Sequence, residues 1–203
     1  MLNVYTICPT EYFGSNCYLV GDEDDWVVID PSVSYEKALK KYPEIEGKIR
    51  YVLLTHGHFD HIYAIDSWVT VCDQVVVGAE DAAMLSDPQL NCYLGFMGIR
   101  GGYFGKYSCI RDGDVLKLTR YSVRAIATPG HTPGGMCYKI SDVTFVGDTL
   151  FSNGGYGRCD LPGGNEDELW RSLFKLFSAN MIGKFYPGHG FNDTFENSIK
   201  YFK

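Results

Sequence analysis

At 203 residues, with 45% hydrophobic and 21% charged side chains, the chain has the size and balance of one soluble globular domain spanning 1–203. A net charge of −7 without any Lys/Arg cluster argues against a nucleic-acid partner, and no apolar run approaches the roughly 18 residues of a membrane span. The seven cysteines are scattered and never spaced C-x-x-C, which excludes a disulfide framework or thiolate zinc site; without a leader-like N-terminus, a cytoplasmic location is expected.

In chain order, short β-branched runs predict strands at Val4–Cys8, Cys17–Val20, Trp26–Ile29, Tyr51–Leu54 and Val75–Val77. Weaker helical patterns fall at Tyr35–Tyr42, His61–Val69 and Glu80–Leu85. Residues 86–110 are harder to place. Their stretch GFMGIRGGYFG, residues 95–105, carries five glycines among aromatics. It reads equally as a mobile loop beside a site or as a surface excursion packed on itself. A turn at Arg111–Asp114 (RDGD) precedes strands at Val115–Leu118, Val123–Ala127, Met136–Ile140, Val143–Val146 and Phe185–Tyr186. Between the last two lies the clearest helix, NEDELWRSLFKLF, in which Asn165 caps and Leu169, Leu173, Leu176 and Phe177 recur at helical spacing. A final, weaker helix is placed at Thr194–Phe202. Strands interspersed with helices predict an α/β fold, with sheets covered by helices on their outer faces.

The chain has only five histidines, and three of them crowd into LLTHGHFDHI together with a carboxylate: His56, His58, Asp60 and His61. This H-x-H-x-D-H run follows a predicted buried strand, where core packing has no use for so many polar groups. His56 and His58, two residues apart in an extended loop, project to one side and suit a divalent ion. The other two histidines repeat the grammar of strand, turn and ligand: His131 in ATPGHTPGG and His189 in FYPGHG. Asp148 in TFVGDTLF does the same with a carboxylate. Five histidines and two aspartates suffice for two adjacent ions with an open position, the arrangement of a catalytic rather than a closed structural centre.

These motifs, with GRCDLPGG at Gly157–Gly164 and the opening NCYLV and VVIDPS segments, occur in an order that resembles the metallo-β-lactamase superfamily. Within it the chain is similar to the glyoxalase II-like hydrolases. The resemblance implies a four-layer αββα sandwich, two mixed β-sheets with helices on the outer faces and the metal site at one edge between the sheets. It implies that His56, His58 and His131 hold one ion, that Asp60, His61 and His189 hold the second, and that Asp148 bridges both. It implies two divalent metal ions, zinc first and iron or manganese as alternatives, and a small-molecule substrate. Asp30 in VVIDPS is either an acceptor orienting a ligand imidazole or simply the end of a strand.

The activity so implied is hydrolysis of a thioester or ester by a metal-bridging hydroxide, with Asp60 as the catalytic group that orients it. Arg158 and Tyr156 are the candidate substrate contacts, with Lys106 a further one, although Arg158 is equally suited to a buried pair with Asp160. Cys159 stands where the similar element usually has Thr or Ser and reads as a small filler. Three departures weaken any inference to glutathione: with 14 residues after His189, the C-terminal helical region that supplies glutathione contacts in the similar enzymes is expected to be lacking; Phe191 replaces the usual Pro after PGHG; and IYAI replaces a small Gly-rich turn after the H-x-H-x-D-H run. The alternative reading is a mononuclear iron oxygenase similar to the persulfide dioxygenases, with His56, His131 and Asp148 as ligands. A non-enzymatic module with a decayed site fits poorly with an intact seven-residue ligand set. Lactam hydrolysis is set aside because the common lactam-hydrolysing members carry Cys at the position of Asp148.

Overall fold

The computed structural model describes residues 1–8, 14–178 and 181–202. Along the chain the strands are β1 (Asn3–Ile7), β2 (Cys17–Gly21), β3 (Trp26–Ile29), β4 (Ile49–Leu53), β5 (Cys72–Gly78) and β6 (Ser108–Ile110), then β7 (Val115–Lys117), β8 (Ser122–Ala127), β9 (Met136–Ile140), β10 (Val143–Gly147), β11 (Lys184–Pro187) and β12 (Asp193–Thr194). The first six form one sheet in sequence order, and the last six form a second sheet in the order β12-β11-β10-β9-β8-β7. Both sheets are mixed: β3, β4, β5 and β6 run parallel beside an antiparallel β1-β2-β3 meander. In the second sheet only β10 and β11 are parallel. The chain changes sheets through the RDGD turn, where Asp114 N–H donates to the Arg111 carbonyl and Arg111 N–H to the Asp114 carboxylate.

Strand periodicity sorts the apolar residues into layers. Tyr18, Val20, Val27 and Ile29 of the first sheet meet Val123, Ala125, Tyr138 and Phe145 of the second in the inter-sheet core. The alternate residues Cys17, Leu19, Trp26 and Val28 face outward against Ala38 of α1 (Tyr35–Lys41), Ile62 of α2 (Phe59–Ile62) and Trp68. On the far side Cys137, Val146 and Phe185 pack against Leu169, Leu173 and Leu176 of α4 (Glu166–Ser178). This is the expected four-layer αββα sandwich. The two outer helical layers explain why β2 and β3 are buried at every position instead of every second one.

Several boundaries differ from the sequence reading. The helix expected over His61–Val69 stops at Ile62 and resumes only as a 3-10 turn at Ile65–Ser67. The reason is tertiary: Ala64 N–H bonds the Pro31 carbonyl and Trp68 Nε1–H the Val33 carbonyl, so this segment is docked on the loop after β3. Residues expected as helix at Glu80–Leu85 form a 3-10 helix over Ala79–Leu85. The Asn165 cap is present, with its side-chain oxygen accepting from Glu168 N–H at 3.2 Å. In the unplaced 86–110 stretch the chain forms α3 (Tyr93–Met97) and then β6. It packs on itself through Asn91, which donates to the Leu85 and Gly101 carbonyls, and through the buried Tyr103. The C-terminal pattern at Thr194–Phe202 divides into α5 (Phe195–Ser198) and a 3-10 turn at Ile199–Phe202. Among the described residues no helix is long and apolar enough to cross a membrane.

Candidate metal centre

All the predicted ligands follow the C-terminal ends of strands. The loop after β4 carries His56 and His58 into α2, which presents Asp60 and His61. The loops after β8, β10 and β11 deliver His131, Asp148 and His189. Each sheet therefore supplies part of one cluster. His56, His58 and His131 bring their ring nitrogens within 4.8 Å of one another, as do the donor atoms of Asp60, His61 and His189. His58 Nδ1 and His131 Nε2 face each other at 3.0 Å, and His189 Nε2 stands 3.1 Å from Asp60 Oδ2. Asp148 lies between the groups: Oδ1 is 3.4 Å from His61 Nε2, and Oδ2 is 3.6 Å from His131 Nε2 and 3.4 Å from His189 Nε2.

Four atoms of this cluster, His56 Nε2, His58 Nε2, His61 Nε2 and Asp148 Oδ1, are buried without a hydrogen-bond partner, out of six such side-chain atoms among the described residues. Orphaned buried polar atoms are costly, and their concentration at one spot fits a site shaped for cations. The donor set of imidazole nitrogens and carboxylate oxygens is that of zinc or iron.

The protonation tendencies differ across the cluster. Burial, reinforced by the neighbouring imidazoles, drives His56 well below its ordinary range and His58 down to about 3. Burial also opposes the charged forms of His61 and His189, but nearby carboxylates outweigh it. Asp60, Asp30 and Asp148 raise His61 well above its usual value, and Asp148 with Asp60 raises His189 to about 9. Burial resists ionisation of Asp60 and Asp148, and the His61 and His189 charges overcome it, lowering both.

The supporting residues explain the motifs around the ligands. Asp30, in a left-handed conformation at the end of β3, accepts from His61 Nδ1 at 2.8 Å and from both N–H and hydroxyl of Thr55 at 2.7 Å. It orients a ligand imidazole, so the first of the two sequence readings is the observed one. His131 Nδ1 meets the Arg158 carbonyl at 2.7 Å, which leaves Nε2 toward the cluster. Sequence reasoning missed Asp81. This fully buried carboxylate accepts from Gly57 N–H, Thr132 hydroxyl and Gly134 N–H, clamping the loop of His56 and His58 to the loop of His131. It also missed Asn16, whose side chain donates to the Pro187 and Gly190 carbonyls while its N–H donates to the Gly188 carbonyl, holding the His189 loop. Gly188 is required there because a Cβ would strike the Asp148 carboxylate and the His61 ring.

A cavity of about 460 Å³ opens over the cluster, and Tyr156 and Arg158 line it. Lys106 does not line it. Arg158 does pair with Asp160, through two 2.6 Å hydrogen bonds, but the pair is exposed (55% and 67% of the side chains) rather than buried as expected. The Cys159 thiol is held up by burial and packs beside the α4 core, in keeping with a filler.

Residues 11–189 match the profile of the family described as the metallo-beta-lactamase superfamily. The chain belongs to that superfamily. Hydroxyacylglutathione hydrolase GloC of Haemophilus influenzae is 30% identical over 91% of this chain and 89% of its own length. Among solved structures, the BLEG-1 B3 metallo-beta-lactamase superposes with a TM-score of 0.85 at 26% identity, covering 98% of this chain and 97% of that one. TTHA1623, solved in a di-iron-bound form, gives a TM-score of 0.78 at 27% identity, covering 98% of both chains. The metallo-beta-lactamase fold of the present chain is thus shared with proteins named for different reactions, one of them solved with two irons bound.

Proposed function

We propose that this superfamily member is a dinuclear metallohydrolase, a thioesterase or esterase of glyoxalase II-like type, acting on a small molecule. The observation that carries this reading is the pair of three-residue donor groups linked by a third, His56, His61 and Asp148, which takes one residue from each, beside one open cavity. His56, His58 and His131 would hold one ion, Asp60, His61 and His189 the other, with Asp148 between them. Zinc suits the nitrogen-rich set first, and the di-iron relative makes iron the main alternative. A pair of divalent ions there would lower the pKa of a shared water and polarise a substrate carbonyl.

The chain's own residues supply the rest. Asp30 and the Arg158 carbonyl fix the rings of His61 and His131 in one tautomer and orientation. Asp60, which lines the cavity, would accept a hydrogen bond from the attacking water and orient its lone pair. Tyr156 and the Arg158–Asp160 pair stand at the rim, where substrate enters. A mononuclear iron oxygenase would use His56, His131 and Asp148 and leave Asp60, His61 and His189 without a role, so the two-ion reading accounts for more of the site. GloC, a hydroxyacylglutathione hydrolase, favours thioesters, and the likeness to a B3 metallo-beta-lactamase puts a lactam among the substrates to be assayed.

The deciding experiment is elemental analysis of the purified protein with a panel of thioester, lactone and β-lactam substrates, run beside oxygen uptake on glutathione persulfide. About two ions per chain with thioester or ester turnover is expected. One iron per chain with oxygen consumption would replace this reading by the oxygenase.

A further inference from the structure

We infer that the substrate's acyl half is apolar, an aryl or medium-chain aliphatic group rather than a small hydroxyacyl one. This inference rests on the hydrolytic reading above and adds a substrate class to it. Apart from the cluster itself, two glycines and Arg158, the cavity is walled by Phe59, Cys92, Phe96, Phe151, Tyr156 and Leu161. The apolar walls reach the reacting centre. Phe59 sits between His58 and Asp60 in sequence and stacks on Phe96 with ring centroids 5.6 Å apart, and the Phe151 ring lies 6.1 Å from that of His189. A carbonyl carbon placed over the cluster therefore has the Phe59 and Phe151 rings close to its first substituent atoms.

Two of these walls are incompletely covered: Phe96 is 43% exposed and Tyr156 39% exposed. Aromatic surface left open around a concave site gains from an apolar occupant in proportion to the area it removes from water. Anion recognition is poorly provided for. Arg158 is the one Lys or Arg among the described residues lining the cavity, and its guanidinium is already held by both oxygens of Asp160. Among the described residues lining the cavity, a multiply charged thiol such as glutathione thus finds no Lys or Arg outside that pair. In the reaction, water adds to the acyl carbon, the C–S bond breaks, and the products are the carboxylate, the free thiol and a proton.

The test uses the metal-loaded full chain and S-acyl N-acetylcysteamine thioesters with acetyl, hexanoyl and phenylacetyl groups, beside S-lactoylglutathione. kcat/KM should rise by about tenfold or more from acetyl to hexanoyl and phenylacetyl, as burial of a few methylenes or a ring dictates. Both should exceed S-lactoylglutathione. Phe96→Ala should shrink the hexanoyl-to-acetyl ratio by about tenfold, mostly through KM. A flat or falling series, or S-lactoylglutathione as the best substrate, overturns the inference while leaving thioester hydrolysis intact. Should no thioester be cleaved, the thioesterase part of the reading fails, and calorimetric binding of phenylacetate against lactate still decides this inference. Tighter phenylacetate binding supports an apolar site, whereas equal or weaker binding overturns it.

Discussion

The two halves of the metal cluster are built largely from the same side chain and differ in what surrounds it. His56, His58 and His131 stand mostly against other imidazoles, and burial with repulsion from those rings, His61 included, keeps His56 and His58 uncharged. His61 and His189 stand against Asp60 and Asp148, and His61 also against Asp30, so in the metal-free protein they hold their protons. The first half presents lone pairs ready for a cation, whereas the second must release protons to take one. Imidazole count alone does not set how a site fills; the neighbouring carboxylates do.

Asp148→Ala removes the carboxylate that lies between the halves and that the proposed function has both ions share; it should have the largest effect, lowering metal content and turnover together by orders of magnitude. Full occupancy and rate in that variant, measured by elemental analysis and steady-state kinetics, would mean the halves do not share a ligand. Next come His58→Ala and His189→Ala, which should separate the halves. Each variant should retain about one ion per chain, with His58→Ala losing the imidazole-only position and His189→Ala the carboxylate-rich one. Equal loss of both ions in either variant, seen in metal titrations, would make the centre a single cooperative unit. A smaller effect is expected of the supporting carboxylates. Asp30→Asn should weaken the second ion and Asp81→Asn the first, each by about 10–100-fold in affinity, because a ligand's hydrogen-bonded support is lost while the ligand stays. Competition with a chromophoric chelator reads both, and a swapped pattern would break the assignment of Asp81 to the first half.

The smallest effect is one of pH on the metal-free protein. In the unfolded chain a histidine titrates near 6.5, and the fold raises His189 to about 9 and His61 above its usual value. A raised pKa contributes stability that is complete below about pH 6.5 and disappears as pH rises to about 9. The melting temperature of the metal-free protein should therefore fall by a few degrees over that window. The metal-loaded protein, whose ligands bind unprotonated, should show no such fall. His56 and His58 do not interfere there, since their lowered values act only below pH 6.5.

The seven clustered residues were legible in the sequence because each sits in a short strand–turn–ligand segment, a pattern local enough to read along the chain. What supports them was not. Asp81 acts on Gly134, 53 positions away, and Asn16 on Pro187, 171 positions away, so no window of sequence contains either partnership. Strand β6 went unread because it is three residues long inside a glycine-rich stretch and exists only by pairing with β5. The overextended helix after His61 failed for the same kind of reason: Ala64 N–H found its acceptor on Pro31 rather than four residues back. Local chemistry announced the donors, and only the assembled fold revealed what aims them.

The sheet change at the RDGD turn has a consequence for how the protein is made. A growing chain that has completed the first sheet already displays His56, His58, Asp60 and His61, yet His131, Asp148 and His189 arrive with the second sheet. The last of them follows β11, which takes its place by pairing with β10 and is clipped by β12. Until that strand is in place, the group of Asp60, His61 and His189 lacks its last donor, whereas His56, His58 and His131 are already together. The imidazole-only group can thus assemble before the second sheet is finished, and the carboxylate-rich group only once β11 has joined β10.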